Sequence, residues 1–120
     1  MQLPIIQSVA RAIEIMRRDF AGPVVLSEVA RACGLSMRHF QRRFQDAFGF
    51  SPQEFLIKTR VIAAMKLLEE TNLSASEIAL RCGFVDASSF AEQFRARVRQ
   101  TPSIYRHAMR GKTGARAGRR

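Results

Sequence analysis

Hydrophobic residues recur at helical spacing along most of this chain, and no segment alternates convincingly as a strand. The longest such stretch runs from Ser51 to Thr71 and contains no helix breaker after its first turn. Ser51 can cap that turn, and Pro52 suits the first helical position, where no backbone donor is needed. At about 100° per residue the apolar side chains fall on two neighbouring stripes, which predicts a long helix buried on two sides. The stripes comprise Ile57, Val61, Ala64, Met65 and Leu68 on one side, and Leu56, Ala63 and Leu67 beside them.

Shorter helices are predicted before this long helix. Residues 4–20 form an amphipathic helix that ends at a Gly-Pro pair. A short helix then ends at Gly34, and Ser36 can cap a second one that covers residues 37–48. The apolar face of that second helix comprises Phe40, Phe44, Ala47 and Phe48. A short helix, a tight turn containing glycine and a second helix with one apolar face are the plan of a helix-turn-helix.

The same plan recurs after the long helix. Eight residues of the first motif reappear at an offset of 49 or, after one inserted residue, 50; the pairs are Ser27/Ser76, Glu28/Glu77, Ala30/Ala79, Cys33/Cys82, Gly34/Gly83, Phe40/Phe90, Phe44/Phe94 and Pro52/Pro102. A repeat of this length indicates two copies of one unit. In the second copy Ser74 and Glu77 can form a capping box, and Asp86 can cap the helix that follows. Val25 stands where Ser74 does, so we expect the first copy to begin with the less well capped helix.

The repeated residues and their neighbours resemble the signature of the AraC/XylS family of bacterial transcription regulators. The matching positions are Pro52, Arg60, Ala64, Leu67, Leu68, Glu77, Ile78, Ala79, Gly83, Phe84, Asp86, Ser88, Phe90, Phe94, Arg95, Pro102, Tyr105 and Arg106. The resemblance covers about residues 5–108. It implies an all-α DNA-binding domain of about seven helices, with two helix-turn-helix subdomains joined by the long central helix and bound to successive major-groove segments. Arg99 departs from the family, which usually has glycine after the second recognition helix, as Gly49 follows the first.

This organisation gives the chain four expected parts. They are an N-terminal helix-turn-helix subdomain (1–50), a linker helix (51–71), a C-terminal helix-turn-helix subdomain (72–109) and a basic tail (110–120). The tail has no apolar pattern, so we expect it to be disordered. Its charges could contact phosphate or serve solubility alone.

Composition narrows the class of partner. The chain has 20 Lys and Arg against 10 Asp and Glu, a formal net charge of +10, which favours a polyanion, with nucleic acid the first candidate and an anionic membrane the second. It has no apolar run long enough to span a bilayer and no signal-peptide pattern, which indicates a cytoplasmic protein. Cys33 and Cys82 are too few for a disulfide framework. No metal site, cofactor site, nucleophile with an activating base or phosphate-binding loop is recognisable, so an enzyme is not expected.

The two recognition helices supply the candidate DNA contacts. Opposite Phe40 and Phe44, the first helix carries side chains suited to reading base edges: Arg38, Gln41, Arg42 and Gln45. Arg can bond guanine and Gln adenine in a bidentate way, each discriminating by about 1–3 kcal/mol. The equivalent set in the second helix is weaker, since Glu92 repels phosphate although it could accept from cytosine. We therefore expect the first helix to supply most base readout and the second to anchor the backbone. The candidate contacts of the second helix are Ser88, Ser89, Glu92, Arg95 and Arg97.

The sequence thus predicts sequence-specific binding to double-stranded DNA by a bacterial transcription regulator, with activation favoured over repression. The main alternative is an architectural or RNA-binding basic protein without sequence readout. RNA polymerase is a further candidate partner, as is an upstream sensor domain if the chain is the DNA-binding fragment of a larger protein.

Overall fold

The computed structural model describes the backbone of residues 2–117 and the side chains of residues 7–112. Within that range the chain forms seven α-helices and no strand, which confirms the all-α prediction. The helices are α1 (Gln2–Asp19), α2 (Leu26–Ala32), α3 (Met37–Phe48), α4 (Pro52–Glu70), α5 (Ala75–Arg81), α6 (Ala87–Val98) and α7 (Pro102–Ala117). None of these helices combines the length and apolar character needed to cross a membrane.

The chain divides into two compact units, and the boundary falls inside α4, between Thr59 and Arg60. This helix begins as expected, with the Ser51 hydroxyl accepting the Glu54 backbone N–H at 3.0 Å. Its apolar side chains do not divide into two complete stripes. Leu56 belongs to the core of the first unit, and in the second unit Val61, Ala64 and Leu68 are buried, whereas Ala63 and Leu67 are only half-buried. The N-terminal part of the helix therefore belongs to the first unit and the C-terminal part to the second.

Helices α1, α2, α3 and the first two turns of α4 enclose the core of the first unit. Its buried side chains are Val9, Ala12, Met16, Val29, Ala30, Phe40, Phe44 and Leu56. Phe44 lies at the centre of an aromatic cluster, with ring centroids 5.9 Å from Phe40, 4.7 Å from Phe48, 6.3 Å from Phe50 and 5.9 Å from Phe55. Ala47 and Phe48, which the spacing also assigns to the core, are exposed, although the Phe48 ring still packs against Phe44. The cluster fixes which face of α3 points outward.

The core of the second unit contains a continuous row of aromatic rings. Phe84, Phe90, Phe94 and Tyr105 follow one another with centroids 5.2, 5.6 and 5.5 Å apart. The Tyr105 hydroxyl donates a hydrogen bond to the Glu69 carboxylate. Burial and this carboxylate raise the pKa of Tyr105 to about 12. Burial likewise raises the pKa of the Cys82 thiol to about 11, so Cys82 is a protonated core residue near neutral pH.

Helix α7 extends beyond the predicted end of the fold. It continues to Ala117, whereas disorder was expected from residue 110. Contacts that the local sequence does not reveal attach the helix as far as residue 110: Arg106 donates to the carbonyl oxygens of Leu68 and Leu73, at 3.1 and 2.8 Å. Arg110 donates to Asn72 Oδ1 at 2.7 Å, so the helix is held past Met109. Residues 118–120, also part of the expected tail, lie outside the described residues.

Candidate nucleic-acid interface

The turns of the two helix-turn-helix motifs have the same backbone geometry. In the first, Gly34 has a φ of 74°, its N–H donates to the Arg31 carbonyl at 2.9 Å, and the Leu35 N–H donates to the Ala30 carbonyl at 3.0 Å. This pair of bonds is the Schellman motif, which needs a residue tolerant of positive φ. The second turn repeats it: Gly83 has a φ of 89°, its N–H donates to the Leu80 carbonyl at 3.4 Å, and the Phe84 N–H donates to the Ala79 carbonyl at 2.9 Å. The sequence repeat is therefore a structural repeat.

Each recognition helix is capped at its start by the side chain that the sequence indicated. Ser36 Oγ accepts the His39 backbone N–H at 3.2 Å and also lies 3.0 Å from His39 Nδ1. Asp86 Oδ1 accepts the Ser89 backbone N–H at 2.7 Å. Each cap satisfies one of the amide donors that a helix leaves free in its first turn. His39 thus supports the cap of α3 with its ring.

The outward face of α3 brings together all four residues predicted to read DNA from the first unit. Arg38, Gln41, Arg42 and Gln45 are exposed, and at helical spacing they fall within an arc of about 100° opposite the buried Phe40 and Phe44. The set consists of two guanidinium groups and two amides, with no carboxylate among them. Because the aromatic cluster fixes the opposite face, these four side chains are presented together at the surface.

The outward face of α6 brings together three of its five predicted contacts. Ser88, Glu92 and Arg95 are exposed and line a surface depression of 740 Å³. Ser89 is half-buried beside the cap. Arg97 lies apart from this face: it is half-buried, and its guanidinium donates to the carbonyl oxygen and Oε1 of Gln93, at 3.1 and 2.5 Å. The position of Arg97 follows from helical spacing, since it lies 180° around the helix from Ser88 and next to Phe90 and Phe94.

The candidate contacts predicted from the sequence do not include one charged side chain of this face. Arg99 borders the same depression, together with Thr101. It follows Ser88, Glu92 and Arg95 at the spacing of one helical face, so the periodicity itself could have identified it. Among the described side chains, no three His, Cys, Asp or Glu residues lie close enough to hold a metal ion together.

The comparisons with known proteins agree with this geometry. A sequence profile described as a helix-turn-helix domain matches residues 29–108, two thirds of the chain. A solved structure from Chromobacterium violaceum, described as a transcriptional regulator with an AraC-type DNA-binding domain, has a TM-score of 0.80 and 26% identity, covering 86% of this chain and 92% of that one. The chain belongs to the AraC family.

Two curated relatives are longer than this chain. The HTH-type transcriptional regulator Rv1931c of Mycobacterium tuberculosis is 39% identical over 83 residues, which is 69% of this chain and 32% of that protein. The HTH-type transcriptional activator RhaS of Salmonella schwarzengrund is 36% identical over 87 residues, 72% of this chain and 31% of that protein. The chain thus spans about one third of the length of these curated relatives.

One structural relative of the family was solved with DNA. The DNA-binding domain of AdpA, a global transcriptional factor, in complex with a target DNA has a TM-score of 0.76 and 33% identity to this chain. The match covers 91% of this chain and 95% of that domain. The AraC-family fold described above is therefore shared with a domain that binds DNA.

Proposed function

We propose that this chain is the DNA-binding part of a bacterial transcription regulator and recognises specific sequences in double-stranded DNA. The observation that carries the proposal is the outward face of α3, where Arg38, Gln41, Arg42 and Gln45 are exposed together in a helix-turn-helix. Family membership and the likeness to a DNA-bound domain support it. The function is recognition and not catalysis.

Base reading is assigned mainly to α3. An Arg fork can donate to O6 and N7 of guanine, and a Gln amide can pair with N6 and N7 of adenine, with about 1–3 kcal/mol of discrimination for each good pair. The corresponding face of α6 offers Ser88 and Arg95 but also Glu92, whose charge opposes the phosphate backbone. We assign α6 a larger share of backbone contacts, through Ser88, Arg95 and, at the edge of the face, Ser89.

The names of the relatives favour activation over repression. RhaS is named a transcriptional activator, and an activator needs a contact with the transcription machinery, so RNA polymerase is the proposed protein partner. The regulator would work in the bacterial cytoplasm, where promoter DNA is accessible. Because the relatives are about three times longer than the matched region, a sensor or dimerisation domain is the proposed source of regulation if this chain is a fragment of a longer polypeptide.

The decisive experiment is selection of bound duplexes from a random pool, carried out with the parent chain, Arg42→Ala and Arg43→Ala. Arg43 is the matched control, since it adjoins Arg42 and has the same charge but is half-buried outside the exposed face. We expect the parent to prefer its selected sites over random DNA by about 10³ or more. Arg42→Ala should lose preference at one base position by roughly 5- to 150-fold, which corresponds to about 1–3 kcal/mol.

Two results would contradict the proposal. If the parent and Arg42→Ala were equally selective, the outward face of α3 would not be the base-reading surface. Binding without any sequence preference, with affinity falling steeply with salt and RNA competing as well as duplex DNA, would instead support an architectural or RNA-binding protein.

A further inference from the structure

Helix α6 ends in a residue whose backbone conformation normally belongs to glycine. Arg99 has a φ of 69°, the only positive φ of a non-glycine residue among those described. Its N–H donates to the Arg95 carbonyl at 3.0 Å, just as the N–H of Gly49 donates to the Gln45 carbonyl at 2.8 Å at the end of α3. A Cβ makes the left-handed conformation unfavourable. The second copy therefore keeps an arginine where the first copy has the conformationally easier residue.

The side chain of Arg99 is placed on the outward face of α6. It is exposed and borders the depression lined by Ser88, Glu92 and Arg95. No hydrogen bond or ion pair of its guanidinium occurs among the described residues, so no intramolecular contact accounts for an arginine at this position. It is available to an external partner.

Charge on this face indicates what that partner is. Glu92 and Arg95 cancel each other, so without Arg99 the outward face of α6 would have no net charge. With Arg99 the face carries one net positive charge, which favours binding to a polyanion. A guanidinium is well suited to a phosphate group because its planar set of N–H donors matches the phosphate oxygens.

We propose that Arg99 is a phosphate anchor that holds the end of α6 to the DNA backbone and offsets the repulsion from Glu92. The proposal rests on the proposed function. Phosphate is favoured over a base edge because recognition helices read bases with their N-terminal residues, whereas Arg99 follows the last helical residue, Val98. Arg99 thus adds affinity without reading sequence.

The test compares the parent with Arg99→Gly and Arg99→Lys, measuring affinity for a selected site and for random duplex DNA between 50 and 400 mM salt. Arg99→Gly removes the charge and relieves the backbone, so its melting temperature should equal or exceed that of the parent while its affinity falls. One lost phosphate contact lowers the log–log salt slope by about 0.9, which is roughly an eightfold loss at 0.1 M salt. The loss should be the same for both DNAs. Arg99→Lys retains the charge and should retain the slope of the parent.

Each other outcome overturns the assignment in a defined way. An Arg99→Gly chain with the affinity and salt slope of the parent would show that Arg99 does not contact DNA. A loss confined to one base position would make Arg99 a base reader, and an equal loss in Arg99→Lys would exclude a charge effect. If the parent itself lacked sequence preference, the proposed function would fail, while the salt slopes on random DNA would still decide the role of Arg99.

Discussion

In each helix-turn-helix unit, two phenylalanines on the recognition helix meet edge to face, and the second of them meets a ring from the following helix. In the first contact, the rings of Phe40 and Phe44 have centroids 5.9 Å apart and planes at 67°. The equivalent values for Phe90 and Phe94 are 5.6 Å and 70°. In the second contact, the centroid distance and interplanar angle are 5.9 Å and 59° between Phe44 and Phe55. They are 5.5 Å and 69° between Phe94 and Tyr105. The two copies therefore share a buried framework at an offset of 50 residues, and what distinguishes them lies outside it.

The copies differ first in how the helix after the recognition helix is attached. At the offset of 50, Phe55 and Leu56 correspond to Tyr105 and Arg106. Leu56 is buried in the apolar core of the first unit, whereas Arg106 donates to three backbone carbonyls near the end of α4. The same aromatic framework is thus joined to the following helix by apolar burial in the first copy and by hydrogen bonds in the second.

They differ second in charge and caps. The face of α3 carries only cations and amides, while that of α6 includes Glu92. Conversely, α2 begins at Val25 with no side-chain cap, while α5 has the full capping box of Ser74 and Glu77. The first copy thus has the more cationic outward face, and the second begins with the better capped helix.

Truncating the central ring of each framework should have the largest effect. Phe44→Ala and Phe94→Ala should each destabilise their unit by about 3–5 kcal/mol, because both rings are fully buried and a cavity remains. We expect the larger cost for Phe44, whose ring contacts four others, against two for Phe94. Urea unfolding followed by circular dichroism measures both. A larger loss of unfolding free energy for Phe94→Ala would contradict this order. It would mean that Phe94 also supports the hydrogen bonds of α7.

The local parts of this fold could be predicted from the sequence. Caps act within one turn, so Ser36, Ser74 with Glu77, and Asp86 identified the starts of α3, α5 and α6 to the residue. The core phenylalanines were identified by periodicity and by their repetition at a fixed offset. All four candidate contacts on α3 share one face because a helix imposes that arrangement once its buried side is known.

The remainder depended on contacts between residues far apart in the sequence. The attachment of α7 as far as residue 110 relies on Arg106 and Arg110 reaching residues 68–73, more than 30 positions earlier. The charge of Arg97 makes it a candidate contact in the sequence, but its place near the buried side of α6 allows it to bond Gln93. Whether a basic side chain is available to DNA is decided by such partners, which composition and charge do not reveal.

Removing the hydrogen bonds that attach α7 should have an intermediate effect. Arg106→Ala leaves the carbonyls of Leu68, Thr71 and Leu73 without this donor, which should cost about 1–3 kcal/mol in the free energy of unfolding. Arg110→Ala is the matched control, since Arg110 contacts the same segment at Asn72 and Thr71 but Thr71 would still be bonded by Arg106. Hydrogen exchange of the α7 amides should show the same order. If Arg110→Ala were the more damaging, the attachment would lie in the last turns of α7 and not at Arg106.

Installing the missing cap in the first copy should have the smallest effect, and it should be stabilising. Val25 has extended backbone angles at the N-cap of α2 (φ −97°, ψ 107°) and is 50% exposed, and Glu28 already occupies the position that completes a capping box. Val25→Ser should therefore raise the free energy of unfolding by about 0.5–1 kcal/mol, and Ser74→Ala should lower it by about 1 kcal/mol in the second copy. Thermal melts of both variants and of Val25→Ala separate the cap from the loss of the valine side chain. If Val25→Ser were no more stable than Val25→Ala, the hydroxyl would not be capping α2, and the difference in caps between the copies would have no energetic meaning.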